Sequence, residues 1–184
     1  MKKLIATIIF KIIGWKVIGE KPKEDKLMVV VMHHTSNWDF PLGILNRWYW
    51  GIFVAFAIKS SMFKPPLGYI IKALGGFPVE RNPQKKKVNV VEQIVNRIKS
   101  EDKIMFNIAP EGTRSKVNRL KSGFYRISVD SGIKIVLVDF DYKTKTIRWG
   151  KAHTPAPTYE EELTIMKEFY KNSQGKYPEK SFQF

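Results

Sequence analysis

The apolar positions of the chain fall into short unbroken runs that alternate with helical repeats. LMVVVM, residues 27 to 32, is a valine-rich run with no polar alternation, which predicts a buried strand. Beyond it, Trp38, Pro41, Leu42, Leu45, Trp48 and Tyr49 recur at helical spacing and predict a helix over about 39 to 49. IFVAFAI, residues 52 to 58, predicts a second buried strand. In residues 59 to 83, Pro65-Pro66 and Gly75-Gly76 mark turns around a short helix. Val88, Val91, Ile94, Val95 and Ile98 give another amphipathic helix. Residues 103 to 108 (KIMFNI) and 134 to 140 (KIVLVDF) predict further strands, with a helix between them near 122 to 131. TKTIRW, residues 144 to 149, alternates and predicts a hairpin partner for the strand before it. Thr158 and Glu161 have the spacing of a capping box opening a last helix, on which Tyr159, Leu163, Met166 and Tyr170 share a face. Strands alternating with helices of about ten residues predict a single-domain α/β layered sheet, mixed and largely parallel, flanked by helices. No linker divides it, so the domain is expected over residues 21 to 184.

The first twenty residues, MKKLIATIIFKIIGWKVIGE, stand apart. Lys11 interrupts the apolar region and no small-residue cleavage site follows, which argues against a secretory signal. The segment is also too short and too charged for a membrane-crossing helix, which needs about 20 mostly apolar residues. As a helix, it puts Lys3, Thr7, Lys11 and Gly14 on one narrow stripe, with Ile, Leu, Phe and Trp around most of the rest. Residues 1 to 20 are therefore expected to form an amphipathic helix that lies in a membrane interface; the competing reading packs its apolar face on the protein's own core.

Charge and composition narrow the partners. There are 32 lysines and arginines against 17 acidic residues, a net charge of +15, which draws the chain to nucleic acid, an acidic lipid surface or a phosphorylated substrate. No RNP-like, KH, zinc-finger or recognition-helix pattern is present, so no nucleic-acid partner is expected. The absence of cysteine excludes disulfides, thiolate metal sites and a cysteine nucleophile. Of the histidines, His33, His34 and His153, two are adjacent and cannot easily reach one ion together, and no zinc-like spacing occurs, so no metal is expected.

The candidate chemistry begins at VMHHTSNWDFP, residues 31 to 41. His34 and Asp39 are five residues apart, which is about 140° around a helix, so they meet only if the chain turns between them. Thr35, Ser36 and Asn37 are capping and turn residues, and Pro41 is tolerated in a helix's first turn. His34 then sits on the loop at a strand's C-terminal end, where open α/β sheets place ligands. The same residues also read as plain helix capping, with Ser36 and Asp39 as a box and His34 as a polar loop residue. A second polar turn, APEGTRSK (residues 109 to 116), follows the strand KIMFNI and carries Glu111, Gly112 and Arg114. Gly112 permits close approach of a ligand and Arg114 offers a planar fork for phosphate or carboxylate; alone, the turn reads equally as a surface ion pair. Arg81, ending GGFPVER, and Lys59, ending the second strand, are weaker cationic candidates.

Taken together, these stretches resemble the glycerolipid acyltransferases related to 1-acylglycerol-3-phosphate acyltransferase. HHTSNWD resembles that family's His-x4-Asp motif, PEGTRS its Glu-Gly-Thr-Arg motif, and LGGFPVER an intervening block ending in a basic residue. The resemblance covers about residues 28 to 140. It departs at His33, where asparagine is frequent, and in a late block that here lacks prolines. The resemblance implies transfer of a fatty acyl group from acyl-CoA or acyl carrier protein to a lysophospholipid hydroxyl, lysophosphatidate first, with another lipid acceptor such as an acylated amino acid as the alternative. It implies catalysis by His34 and Asp39, acceptor binding by Glu111, Gly112, Thr113, Arg114, Arg81 and Lys59, and no cofactor beyond the acyl donor itself. A non-catalytic lipid-binding relative is the remaining alternative. The partners implied are an anionic membrane surface, the lysophospholipid and the acyl donor. The expected location is peripheral or monotopic, at the cytoplasmic face of the cell membrane.

Overall fold

The computed structural model describes residues 1 to 80 and 89 to 184. Among the described residues, seven strands form one sheet: β1 (Lys16–Ile18), β2 (Lys26–Met32), β3 (Val54–Lys59), β4 (Gly76–Val79), β5 (Ile104–Ile108), β6 (Lys134–Asp141) and β7 (Thr146–Trp149), in the order β1-β7-β6-β2-β5-β3-β4. Strands β6, β2, β5, β3 and β4 run parallel, β7 turns back antiparallel on β6, and β1 pairs parallel with β7. The apolar run expected over 27 to 32 is the central strand β2, and it is buried on both faces because helices cover both.

Among the described residues, six helices flank the sheet: α1 (Lys2–Ile13), α2 (Asp39–Trp50), α3 (Leu67–Ala73), α4 (Val90–Ser100), α5 (Gly123–Ser131) and α6 (Tyr159–Tyr170). On one face, Leu27, Val29 and Val31 of β2 pack with Phe10 of α1 and Leu42 of α2. On the other, Met28, Val30 and Met32 pack with Ile94 and Ile98 of α4, Phe124 and Ile127 of α5, and Met166 and Tyr170 of α6. Each such fully buried side chain contributes about 1.5–3 kcal/mol. Helix α3 joins β3 to β4 in the direction in which α2 joins β2 to β3, so right-handed crossovers put α3 on the face of α1 and α2. The last helix opens as its sequence suggests, with the Thr158 hydroxyl accepting the Glu161 amide at 3.2 Å.

Two parts of the pattern read differently in the structure. The N-terminal helix is shorter than residues 1 to 20: it stops at Ile13 because Gly14 takes a left-handed φ of 73° and returns its amide to Lys11, and residues 16 to 18 then join the sheet as β1. GFPV, residues 76 to 79, is the edge strand β4, where Pro78 is tolerated because an edge leaves one side unpaired. The apolar surface of α1 is divided between core and exterior. Ala6 and Phe10, one turn apart, are buried and Phe10 meets Tyr49 of α2 edge-on at 6.1 Å, while Leu4, Ile5, Ile8, Ile12 and Ile13 remain exposed. Among the described residues, no helix is long and apolar enough to cross a membrane.

Candidate active site

The sheet topology decides what meets at the site. Strands β2 and β5 are parallel neighbours, with Val30 opposite Ile108, so the turns that follow them emerge side by side. The chain leaving β2 goes to α2 on one face, and the chain leaving β5 goes to α5 on the other. Such a divergence marks the carboxyl ends of the strands as the usual ligand position in open sheets.

His34 and Asp39 do meet there. The His34 Nδ1 lies 2.9 Å from Asp39 Oδ2, and the side chains are 26% and 4% exposed, respectively. A carboxylate only accepts, so Nδ1 carries the proton, and in the neutral ring Nε2 holds the lone pair. The turn between them uses the residues expected of a cap. Asp39 Oδ2 also accepts the Ser36 amide at 3.1 Å, and the Ser36 hydroxyl oxygen accepts the Trp38 amide at 3.1 Å. The bonds of Ser36 and Asp39 that shape the turn into α2 thus also hold the His–Asp pair, while the helix itself starts after Trp38 with no side-chain cap there. A third donor, the Tyr142 hydroxyl, reaches Asp39 Oδ1 at 2.7 Å.

Glu111 ties the second turn to the first. Its Oε1 accepts the backbone amide of His34 at 3.0 Å across 77 residues of sequence. The side chain is buried, and that burial pushes its carboxyl above the ordinary carboxylate range, against the opposing pull of the His34 amide. Gly112, at φ 64°, turns the chain directly after it, and a β-carbon there would come within 2.7 Å of Lys121 Nζ. Thr113 and Arg114 lie exposed beyond, the Thr113 hydroxyl oxygen accepting the Ser115 amide at 3.3 Å. Lys59 is exposed at the end of β3. Among the described residues, neither Arg114 nor Lys59 has an ion-pair partner. Arg81, with Lys85, Lys86, Lys87 and Val88, lies outside the described residues.

The other two histidines sit elsewhere. His33 is buried against the ring of Tyr170, edge-on at 6.1 Å, and neither ring nitrogen has a partner among the described residues. Burial holds its pKa below the ordinary imidazole value, with the Asp141 charge opposing. His153 Nε2 pairs with Glu162 Oε1 at 2.9 Å, which raises its pKa, and Glu162 Oε2 accepts the Ala156 amide at 3.0 Å. That pair anchors the chain entering α6. Among the described residues, no cluster of three or more histidine or acidic side chains could hold a metal.

Of the residues singled out from sequence, the structure brings His34, Asp39 and Glu111 into one hydrogen-bonded unit, while Arg114, three residues past Glu111, and Lys59, ending β3, are exposed. Tyr142 belongs to the same unit and carries no sequence signal. It sits just past β6, and only the pairing of β6 with β2 brings it to Asp39.

The chain that carries this His–Asp pair and the Glu-Gly-Thr-Arg turn beside it belongs to the Acyltransferase family, whose model matches residues 15 to 140. The fold agrees. The crystal structure of the 1-acyl-sn-glycerophosphate (LPA) acyltransferase PlsC from Thermotoga maritima superposes with a TM-score of 0.65, covering 91% of this chain and 74% of that one at 21% identity. No curated protein matches the chain significantly in sequence.

Proposed function

We propose that the protein transfers a fatty acyl group from a thioester, acyl-CoA or acyl carrier protein, to the hydroxyl of lysophosphatidate, forming phosphatidate. The observation that carries this reading is the His34–Asp39 pair at 2.9 Å, which assigns the lone pair of the neutral ring to Nε2. An alcohol is a weak nucleophile at neutral pH, and an imidazole held in the right tautomer by a carboxylate removes that weakness. His34 Nε2 takes the hydroxyl proton as the oxygen attacks the thioester carbonyl. The tetrahedral intermediate then collapses, the C–S bond breaks, and the imidazolium returns its proton to the departing thiolate. Asp39 stabilises the imidazolium between the two steps. With no cysteine and no Gly-x-Ser-x-Gly elbow in the sequence, direct attack is favoured over an acyl-enzyme.

The exposed cations of the second turn support an anionic acceptor. Arg114 is exposed three residues beyond Glu111 and has no ion-pair partner among the described residues, and a guanidinium fork suits a phosphomonoester. Arg114→Ala is expected to raise KM for lysophosphatidate about tenfold or more while leaving KM for monoacylglycerol, which has no phosphate, nearly unchanged. An acceptor panel with acyl-CoA and with acyl carrier protein as donors measures both. Equal effects on the two acceptors would remove Arg114 from phosphate binding, and turnover of only a different lipid would replace lysophosphatidate as acceptor.

The apolar surface supports action at a membrane. The outer side of α1 exposes five large aliphatic side chains, and α3 on the same face of the sheet exposes Leu67, Tyr69 and Ile70. Trp38 and Phe40, 60% and 43% exposed, carry apolar surface up to the His34 turn, where an acyl chain must lie. With a net charge of +15, this layer suits an anionic lipid surface, as on the cytoplasmic face of a cell membrane, held peripherally or monotopically. Ile8→Glu with Ile12→Glu, both on the exposed side of α1, is expected to reduce sedimentation with anionic vesicles about tenfold or more and to spare binding of soluble acyl-CoA. Unchanged sedimentation would remove α1 from the membrane contact.

A further inference from the structure

We infer that Tyr142 is a positioning residue for the catalytic pair, holding the Asp39 carboxylate in the plane that His34 requires, and that Trp15 holds Tyr142 in turn. The inference rests on the reading of His34 and Asp39 as the catalytic pair. Three neighbouring parallel strands each place one element of the site just past their carboxyl ends: β5 gives Glu111, β2 gives His34, and β6 gives Tyr142. The two oxygens of Asp39 are used unequally. Oδ2 takes His34 Nδ1 and the Ser36 amide, and Oδ1 takes the Tyr142 hydroxyl at 2.7 Å. Donors on both oxygens fix the carboxylate's rotation, and so the direction in which it presents its lone pair to His34. A buried carboxylate oxygen without a donor would also carry its full desolvation cost.

Tyr142 is itself held on two sides. Its amide donates to the Gln174 carbonyl at 2.8 Å, and its ring meets Trp15 edge-on, with centroids 4.9 Å apart and planes at 88°. The Trp15 amide in turn donates to the Phe10 carbonyl at 2.8 Å, so the end of α1 is joined to Asp39 through two aromatic rings. Burial, and then the bond to Asp39, push the Tyr142 phenol well above its ordinary value, so it stays a donor wherever the enzyme works. Among the described residues, the titratable groups around this cluster include Glu111, bound to the His34 amide, Asp141, which accepts the Lys143 and Gln174 amides, and Tyr177, close enough to push the Tyr142 phenol up.

The test compares full-length wild type, Tyr142→Phe, Trp15→Ala, Trp15→Phe and His34→Ala with acyl-CoA and lysophosphatidate on anionic vesicles. Tyr142→Phe keeps the ring and its contact with Trp15 and removes only the hydroxyl. It is expected to lower kcat about tenfold with both KM values changed less than about twofold. The acid limb of its kcat–pH profile should move to higher pH, because a carboxylate that has lost a donor draws a proton into the pair more readily. Trp15→Ala should lower kcat in the same sense, and Trp15→Phe should restore it. Limb position and KM do not depend on the fraction of folded enzyme, so partial unfolding does not imitate this result. A Tyr142→Phe enzyme with wild-type kcat and an unmoved limb, beside an inactive His34→Ala, would overturn the role of Tyr142 alone. Near-normal turnover by His34→Ala would overturn the catalytic pair and this inference together.

Discussion

His34→Ala is expected to lower kcat by about 10³-fold or more while the protein stays folded, as measured by thiol release from acyl-CoA in the presence of lysophosphatidate. The size follows from the absence of a substitute. Among the described residues the other histidines are elsewhere, His33 packed against Tyr170 and His153 paired with Glu162. Glu111, the next carboxylate, is buried and committed to the His34 amide. That amide bond is made by the backbone, so it survives truncation of the side chain, and the loop keeps its tie to β5. His34 is half-buried, and removing its ring leaves Asp39 with the Ser36 amide and the Tyr142 hydroxyl as donors. Unchanged thermal unfolding beside lost turnover is the expected pair of readings. Loss of both together would make His34 a folding residue and leave its chemistry unproven.

Asp39→Asn is expected to have the second largest effect, a fall in kcat of about 10²–10³-fold with KM values little changed. The substitution keeps the shape. An amide oxygen turned toward His34 and Ser36 accepts both of their protons, and its NH2 group then faces Tyr142, whose hydroxyl can rotate to accept. What disappears is the negative charge beside the ring as it becomes an imidazolium, in a site where Asp39 is almost fully shielded from water. The expected signature is therefore kinetic, with a melting temperature within about 4 °C of wild type. A variant that unfolds instead would mean that the charge is needed to build the turn, and one with normal kcat would remove Asp39 from the mechanism.

Much of this architecture was legible in the chain because it is written locally. LMVVVM reads as a buried strand since every position is apolar, and β2 is buried on both faces. Thr158 and Glu161 read as a helix start because the cap is a bond across three residues. The His34–Asp39 pair was legible for the same reason: the residues between them shape the turn that joins them. What escaped depends on distant partners. Strand β1 has only three residues after a glycine, and its reason for being a strand is β7, far along the chain. Strand β4 contains a glycine and a proline, and its identity comes from the neighbouring β3. Tyr142 escaped in the same way. Its partner is 103 residues away, brought close by the pairing of β6 with β2. The acyltransferase motifs marked where the turns lie, and the strand order explains why those turns meet.

The central claim is that His34 draws the proton from a lysophospholipid hydroxyl so that the oxygen attacks an acyl thioester directly. The most direct measurement follows both products, labelled phosphatidate and free thiol, from acyl-CoA and lysophosphatidate on anionic vesicles with wild type and His34→Ala side by side. Wild type is expected to form the two one for one, and His34→Ala to form neither above background. Phosphatidate from His34→Ala at a near-wild-type rate, or thiol release by wild type without acylated lipid, would contradict it.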